Sequence, residues 1–305
     1  MITASATPAP VTNHIEFWSA ARRRLVPALE QVRLRDLLHV MGSDPVETAV
    51  TPLSALVPVW CLRKDAALYH EGSAADVLYI VRSGSFKCVK SSEDGYQQVQ
   101  SFFGVGEVLG FDSLHRGRYR TTAFALEVST VFAVSLQDWD AWRQNCPPFD
   151  QALQRAISRQ LDAASDMAEL MAAVSADARL ARFLLWMSDR MAAAGQSAHC
   201  LHLRMWRRDI ASLLGVAHET VSRSFTNLAD EGLVQVLNRD VDILDLEGLR
   251  LRARCTRGAS DDRGEPKPRV SPAKPGAARP RVAADPAFPP RSWMPDTDFV
   301  TRKSA

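Results

Sequence analysis

The sequence predicts an α+β chain in three consecutive parts: an N-terminal antiparallel β-barrel of jelly-roll type, a long dimerisation helix and a C-terminal winged helix-turn-helix. Three observations carry this expectation. Between residues 51 and 145, short apolar runs recur between glycine-bearing corners. From Leu153 onward, apolar residues follow four-three spacing for about three heptads. Residues 206–225, Trp-Arg-Arg-Asp-Ile-Ala-Ser-Leu-Leu-Gly-Val-Ala-His-Glu-Thr-Val-Ser-Arg-Ser-Phe, read as two helices meeting at a tight turn.

Composition bounds the function. In 305 residues, hydrophobic residues make up 46% and charged residues 24%, ordinary values for a soluble globular protein. A formal net charge of +2 is too small to hold nucleic acid by itself, so any such binding comes from local charge. No apolar run approaches the roughly 20 residues of a membrane span, and residues 1–10 show no basic segment followed by an apolar core. The five cysteines (Cys61, Cys88, Cys146, Cys200, Cys255) are scattered and form no CxxC pair, as reduced thiols would. The expectation is a cytoplasmic protein with no membrane partner.

The elements follow in order. Residues 1–50 read as an N-terminal extension: Ala, Thr and Pro dominate residues 1–13, which predicts disorder, and residues 14–39 suggest one or two helices. In the barrel, the strand candidates are residues 59–62, 77–81, 86–89, 99–103, 123–126 and 131–134. Turn signals at Glu71-Gly72, Ser83-Gly84, Asp94-Gly95 and Gly104-Val-Gly106 separate them. Pro147 and Pro148 can launch a helix over residues 146–175. Its seam is Leu153, Ile157, Gln160, Ala164, Met167, Met171 and Val174. Such a seam packs on its own domain or on a twin chain; a neighbouring DNA reader favours the homodimer, because duplex DNA rewards two readers one helical turn apart. Within residues 176–254, a helix over 177–194 stops at Gly195, and residues 201–205 suit a strand. Residues 233–237 and 241–244 flank Asn238-Arg239-Asp240 as a hairpin wing. Residues 255–305, rich in Pro, Arg, Ala and Ser, read as a disordered tail.

The helix pair carries the chemistry. Ile210, Ala211, Leu213 and Leu214 give its first helix one apolar face, and Gly215 stands where that helix must stop. Val216, Val221 and Phe225 supply the buried side of the second helix. Glu219, Ser222, Arg223 and Thr226, at i, i+3, i+4 and i+7, share one outward stripe with Thr220 beside it. A carboxylate, hydroxyls and a guanidinium in that array suit base edges in a major groove. A solvated face of an αα-hairpin has the same spacing; the Ala–Gly–Val punctuation and the flanking Arg207 and Arg208 favour DNA. These two arginines are expected at phosphates.

A barrel, a helix seam and a winged helix-turn-helix in this order resemble the CRP/FNR superfamily of bacterial transcription regulators, over residues 53–251. The motif Asp209-Ile-Ala-Ser-Leu-Leu-Gly-Val-Ala-His-Glu-Thr-Val-Ser-Arg223 carries most of the resemblance. Its Glu219-x-x-Ser222-Arg223 pattern is similar to the FNR and FixK branch, which reads TTGAT half-sites. The resemblance implies that Arg223 bonds guanine, Ser222 meets thymine and Glu219 takes a base amino group. Residues 78–84, 110–112 and 178–183 look FNR-like as well. Loop residues Asp94 and Tyr96 resemble the loop through which FNR-type activators touch RNA polymerase.

Effector expectations follow from departures. The Gly-Glu and Arg-Ser pairs that hold a cyclic nucleotide fall on Gly110-Phe111 and Thr121-Thr122, which argues against cAMP, although Arg120 lies one residue away. No cysteine precedes Cys61, and the barrel cysteine of FNR falls on Phe132, which argues against an iron–sulfur cluster. Haem remains open, with His14, His39 and His70 as axial candidates; a regulator without cofactor remains open too. A metal-binding barrel enzyme would draw on His70, Glu71, Glu107 and His115, but no His-x-His pair or nucleophile motif supports it. The expectation is no enzyme.

Overall fold

The computed structural model describes residues 30–43, 53–93, 95–173 and 175–254. The expectations for residues 1–29 and for the tail from Cys255, and for Asp94 and Val174, lie outside these.

Among the described residues, two antiparallel sheets form the N-terminal domain. The first orders β1 (Glu30–Arg33), β2 (Leu56–Leu62), β9 (Ser129–Ser135), β4 (Val77–Ser83) and β7 (Val108–Leu109). The second orders β3 (Ala67–Tyr69), β8 (Thr122–Ala125), β5 (Phe86–Ser91) and β6 (Gln97–Phe103). The jelly roll therefore holds, but as two facing sheets whose hydrogen bonding does not close into one barrel.

Both sheets are covered on both faces, and this explains the sequence texture. Between them lie Trp60, Tyr69, Tyr79, Phe86, Leu109, Tyr119 and Val131. The outer face of the first sheet buries Leu78, Ile80, Phe132 and Val134 under helices α1 (Leu34–Val40), α2 (Leu136–Asn145) and α3 (Pro147–Met171). Hence β4 is buried over Val77, Leu78, Tyr79, Ile80 and Val81 without alternation. Helix α2, absent from the sequence reading, is capped by Ser135 Oγ, which accepts the Asp138 N–H at 3.1 Å.

Helix α3 ends at Met171, short of the expected residue 175, and its faces correct the expected seam. Leu153 is only 4% exposed within its own chain, and Ile157 packs beside it against Trp139 and Phe149. Gln160 donates through Nε2 to the Val108 carbonyl at 2.6 Å, which pins the helix to β7. Met167 and Met171 pack on the C-terminal core, while Ala164 is exposed. The exposed heptad lies one residue later, on Gln154, Ser158, Leu161, Ser165, Ala168 and Ala172. Leu161 is 65% exposed. An apolar residue in a heptad register buries equally well against its own domain, so spacing predicted the period but not the face.

The C-terminal domain comprises α4 (Ala176–Ala193), β10 (Cys200–His202), α5 (Arg207–Leu214), α6 (His218–Asp230), β11 (Val234–Leu237), β12 (Asp240–Ile243) and α7 (Leu246–Ala253). Strands order β10-β12-β11, and β11 pairs β12 around the Asn238-Arg239 turn as the wing expectation requires. Asn238 takes φ 58°, a left-handed conformation that asparagine tolerates. The core of this domain does not stop at its boundary. Val89, Val99, Phe102 and Leu126, on the outer face of the second sheet, belong to the same apolar cluster as Phe183, Ile210, Leu214 and Phe225.

Phe183, fully buried, meets the Phe102 ring with centroids 6.4 Å apart at this junction. Phe183→Ala is expected to lower unfolding stability by about 3–5 kcal/mol, read as a lower midpoint in urea denaturation followed by tryptophan fluorescence.

Candidate nucleic-acid interface

Helix α5 starts at Arg207, where Asp209 Oδ2 accepts the Trp206 N–H at 3.0 Å. It ends at Gly215, whose φ of 63° suits glycine and lets the Val216 N–H bond back to the Ala211 carbonyl at 3.1 Å. Ala211 is buried, so α6 crosses close by. Arg179 of α4 donates to the otherwise orphaned Leu214 carbonyl at 3.0 Å and locks the turn.

Val221, Phe225 and Leu228 bury one side of α6, as the sequence predicts for the first two. On the other side Glu219, Arg223 and Thr226 are exposed, with Thr220 and Ser222 half-buried between them. The stripe therefore stands free of the N-terminal domain. Thr226 Oγ1 donates to the Ser222 carbonyl at 3.2 Å, and Arg223 donates to Thr220 Oγ1 at 3.4 Å. Among the described residues no ion pair braces Arg223 with Glu219. Its guanidinium is exposed.

The flanking cations sit less simply than the sequence suggests. Arg208 is exposed, but the Arg207 guanidinium lies over the Phe225 ring, 5.0 Å from its centroid. Trp206 is gripped on its ring by Lys64 from the β2–β3 turn, at 5.1 Å, and by Arg239 of the wing, at 3.7 Å. Spacing in sequence could not reveal these partners, which lie over a hundred positions apart in the case of Lys64 and Trp206. Tyr96, 56% exposed, sits in the connection between β5 and β6.

A Crp-like helix-turn-helix domain model matches residues 178–252, and a cyclic nucleotide-binding domain model matches residues 60–146. The transcriptional regulatory protein btr of Bordetella pertussis is 34% identical over 189 residues, covering 62% of this chain and 78% of that protein. The chain belongs to the CRP/FNR family of transcription regulators. Another relative, the transcriptional activator protein anr of Pseudomonas aeruginosa, is 33% identical over 224 residues, covering 72% of this chain and 92% of that one. Among solved structures, FixK2 from Bradyrhizobium japonicum matches with TM-score 0.57 and 27% identity over 65% of this chain and 97% of that chain. As a family member it is a DNA-binding regulator and not an enzyme.

The N-terminal domain of this CRP/FNR family member contains a cavity of about 170 Å³ whose lining includes Tyr69, Cys88, Lys90, Asp112, Arg120 and Thr121. Gly110 takes φ 83°, where a Cβ would stand 2.8 Å from the Tyr119 ring. The next residue, Phe111, turns away from the cavity and packs on Trp139, with centroids 6.3 Å apart. Arg120, which sequence alignment leaves one position out of register, does reach the lining. Of the enzyme candidates, the two glutamates are engaged elsewhere. Glu71 accepts the Ser91 N–H at 3.0 Å, and Glu107 accepts the Gly104 N–H at 2.6 Å and Arg190. His39, His70 and His115 are exposed, and His14 lies outside the described residues.

Burial pushes the Cys88 thiol up to about 11, despite hydrogen bonds from Tyr69, Thr121 and Ser101 that favour the thiolate. A raised value means the neutral thiol persists well above physiological pH, and the neutral thiol is not the nucleophile. Cys200 is exposed. Iodoacetamide at pH 8 should label Cys200 and spare Cys88, as read by peptide mass spectrometry; fast labelling of Cys88 in folded protein would contradict this assignment.

Proposed function

We propose that the chain acts as a homodimer that reads an inverted repeat of TTGAT-like half-sites and activates transcription. The open side of α6 carries this reading: Glu219, Ser222 and Arg223 share one row, opposite the buried Val221, Phe225 and Leu228, in the pattern that resembles the FNR and FixK branch. Arg223 forks onto the O6 and N7 of one guanine, a geometry lysine cannot reproduce. Glu219 accepts from a base amino group, and Ser222 contacts the neighbouring thymine. Arg208 and Arg239 of the wing sit at phosphates on either side. Activation is supported by relatives that are transcriptional activator proteins, anr of Pseudomonas aeruginosa and FnrA of Stutzerimonas stutzeri, and by the exposure of Tyr96, where RNA polymerase would make contact.

The homodimer forms along the outer face of α3. Leu161 supplies the exposed apolar anchor, and Ser158, Ser165 and Ala168 are small enough for two helices to approach closely. The signal is read without an FNR-type cluster, since Phe132 fills the aligned barrel position and is fully buried. Against cAMP stands Phe111, which takes the place of the ribose-bonding glutamate and faces Trp139; the cationic side chains in the cavity are Lys90 and Arg120.

Arg223→Ala should cost about 1–3 kcal/mol per half-site and relax preference at the guanine, measured by selection from randomised half-sites. An equal loss on every sequence would make Arg223 a phosphate contact and end the TTGAT assignment. Leu161→Glu should convert the dimer to monomers in sedimentation and abolish binding to the full inverted repeat but not residual half-site binding; an unchanged dimer places the interface elsewhere.

A further inference from the structure

The reader is tied to the sensor domain through the back of α5, and one tie is buried. Lys87 of β5 donates to Asp209 Oδ1 of α5 at 2.6 Å, with side chains 16% and 6% exposed. Asp209 uses its other oxygen on the Trp206 N–H, so the same carboxylate starts α5 and receives the sensor's cation. One turn later Ser212 Oγ accepts the Val99 N–H of β6 at 2.9 Å and donates to the Gln97 carbonyl at 3.3 Å. β6 is the edge strand of its sheet, so its backbone can bond outward to Ser212, beside a register slip between Cys88 and Val89 that leaves Gln100 without a partner in the ladder. More exposed ties, Arg204 to Glu127 at 3.2 Å and Lys64 over Trp206, surround the buried one.

The sensor domain is in turn fixed to α3 through Phe149, Leu153, Ala156 and the Gln160–Val108 bond. Sheet and dimer helix therefore move as one body, and α5 is clamped to that body rather than only to the short segment joining α3 to α4. We propose that Lys87, far from the base-reading stripe, is a positioning residue that sets the spacing between half-sites the regulator accepts. The distance between two α6 helices in a dimer is fixed by how each reader sits on its own sensor. A charge buried against α5 tolerates little sliding, because displacement strands it without a partner. This inference rests on the dimeric reading above, and it assigns Lys87 no contact with DNA.

The test uses the full-length protein on inverted repeats whose central gap is lengthened or shortened one base pair at a time. Wild type should favour one gap. K87M and D209N should each reduce discrimination between the best and adjacent gaps by about tenfold, the scale on which a lost buried pair is felt. D209N keeps an oxygen for the Trp206 N–H, so the start of α5 survives. The double variant should be no worse than either single one, and K87R should keep the wild-type profile. Base preference within a half-site should not change in any of them. An unaltered gap profile in K87M overturns the proposal, and so does a K87M variant that loses base preference together with gap preference, since Lys87 then supports the fold of the reader rather than its placement. Failure of wild type to prefer any inverted repeat overturns the dimeric reading itself, a result distinguishable from the other two.

Discussion

The placement of the recognition helix depends on one apolar contact, between the outer face of the β5–β6 hairpin and helices α4 and α5. Side chains alternate along β5, so Lys87 and Val89 face the reader while Cys88 and Lys90 face the cavity. A single layer of sheet thus separates two environments. On the reader's side Val89, Val99 and Phe102 join Phe183 and Leu213 in one core. Fully burying residues of this size is worth about 1.5–3 kcal/mol each, well beyond what the exposed ion pairs around the junction supply. The ion pairs give the contact its register and the apolar core gives it strength.

Much of this was legible in the residues themselves. Glycine at 215, after a helix whose apolar face is Ile210, Ala211, Leu213 and Leu214, admits few interpretations, and the turn stands there with the expected left-handed φ. Both wing strands and six of the sheet strands also lie where apolar runs and turn residues put them. Strand β7, two residues long, and β3, three, were too short to show any period. Helix α3 is more instructive: its heptad was visible, and the more apolar of two registers one residue apart packs largely on its own chain, leaving the poorer one, with Leu161, outside. Only the core contributed by Trp139, Phe149 and Val108 decides which one turns inward.

The site was legible in a similar, partial way. Exposure of Glu219, Arg223 and Thr226 follows from helical geometry once Val221 and Phe225 are assigned to the core. What no local pattern reveals is the company each charged group keeps. Lys87 is separated from Asp209 by more than a hundred residues, and their pairing exists only because the β5–β6 hairpin lies under α5. The same holds for Phe111, whose place beside a glycine suggested the cavity while Trp139 draws it elsewhere.

The arginines of the C-terminal domain carry a last consequence. Arg179 serves the carbonyls of Ala173 and Leu214, and Arg182 those of Ala253 and Glu169. Arg190 and Arg252 are held by the carboxylates of Glu107, Asp177 and Glu231. A guanidinium bonded within the protein displaces few condensed cations from a duplex, and each phosphate truly neutralised contributes about 0.9 to the logarithmic salt slope. Residues 176–254 hold eleven arginines against ten carboxylates, and much of that positive charge holds the fold together. Ionic strength should consequently govern its grip on DNA less than a count of its arginines implies, leaving a larger share of the affinity to base contacts.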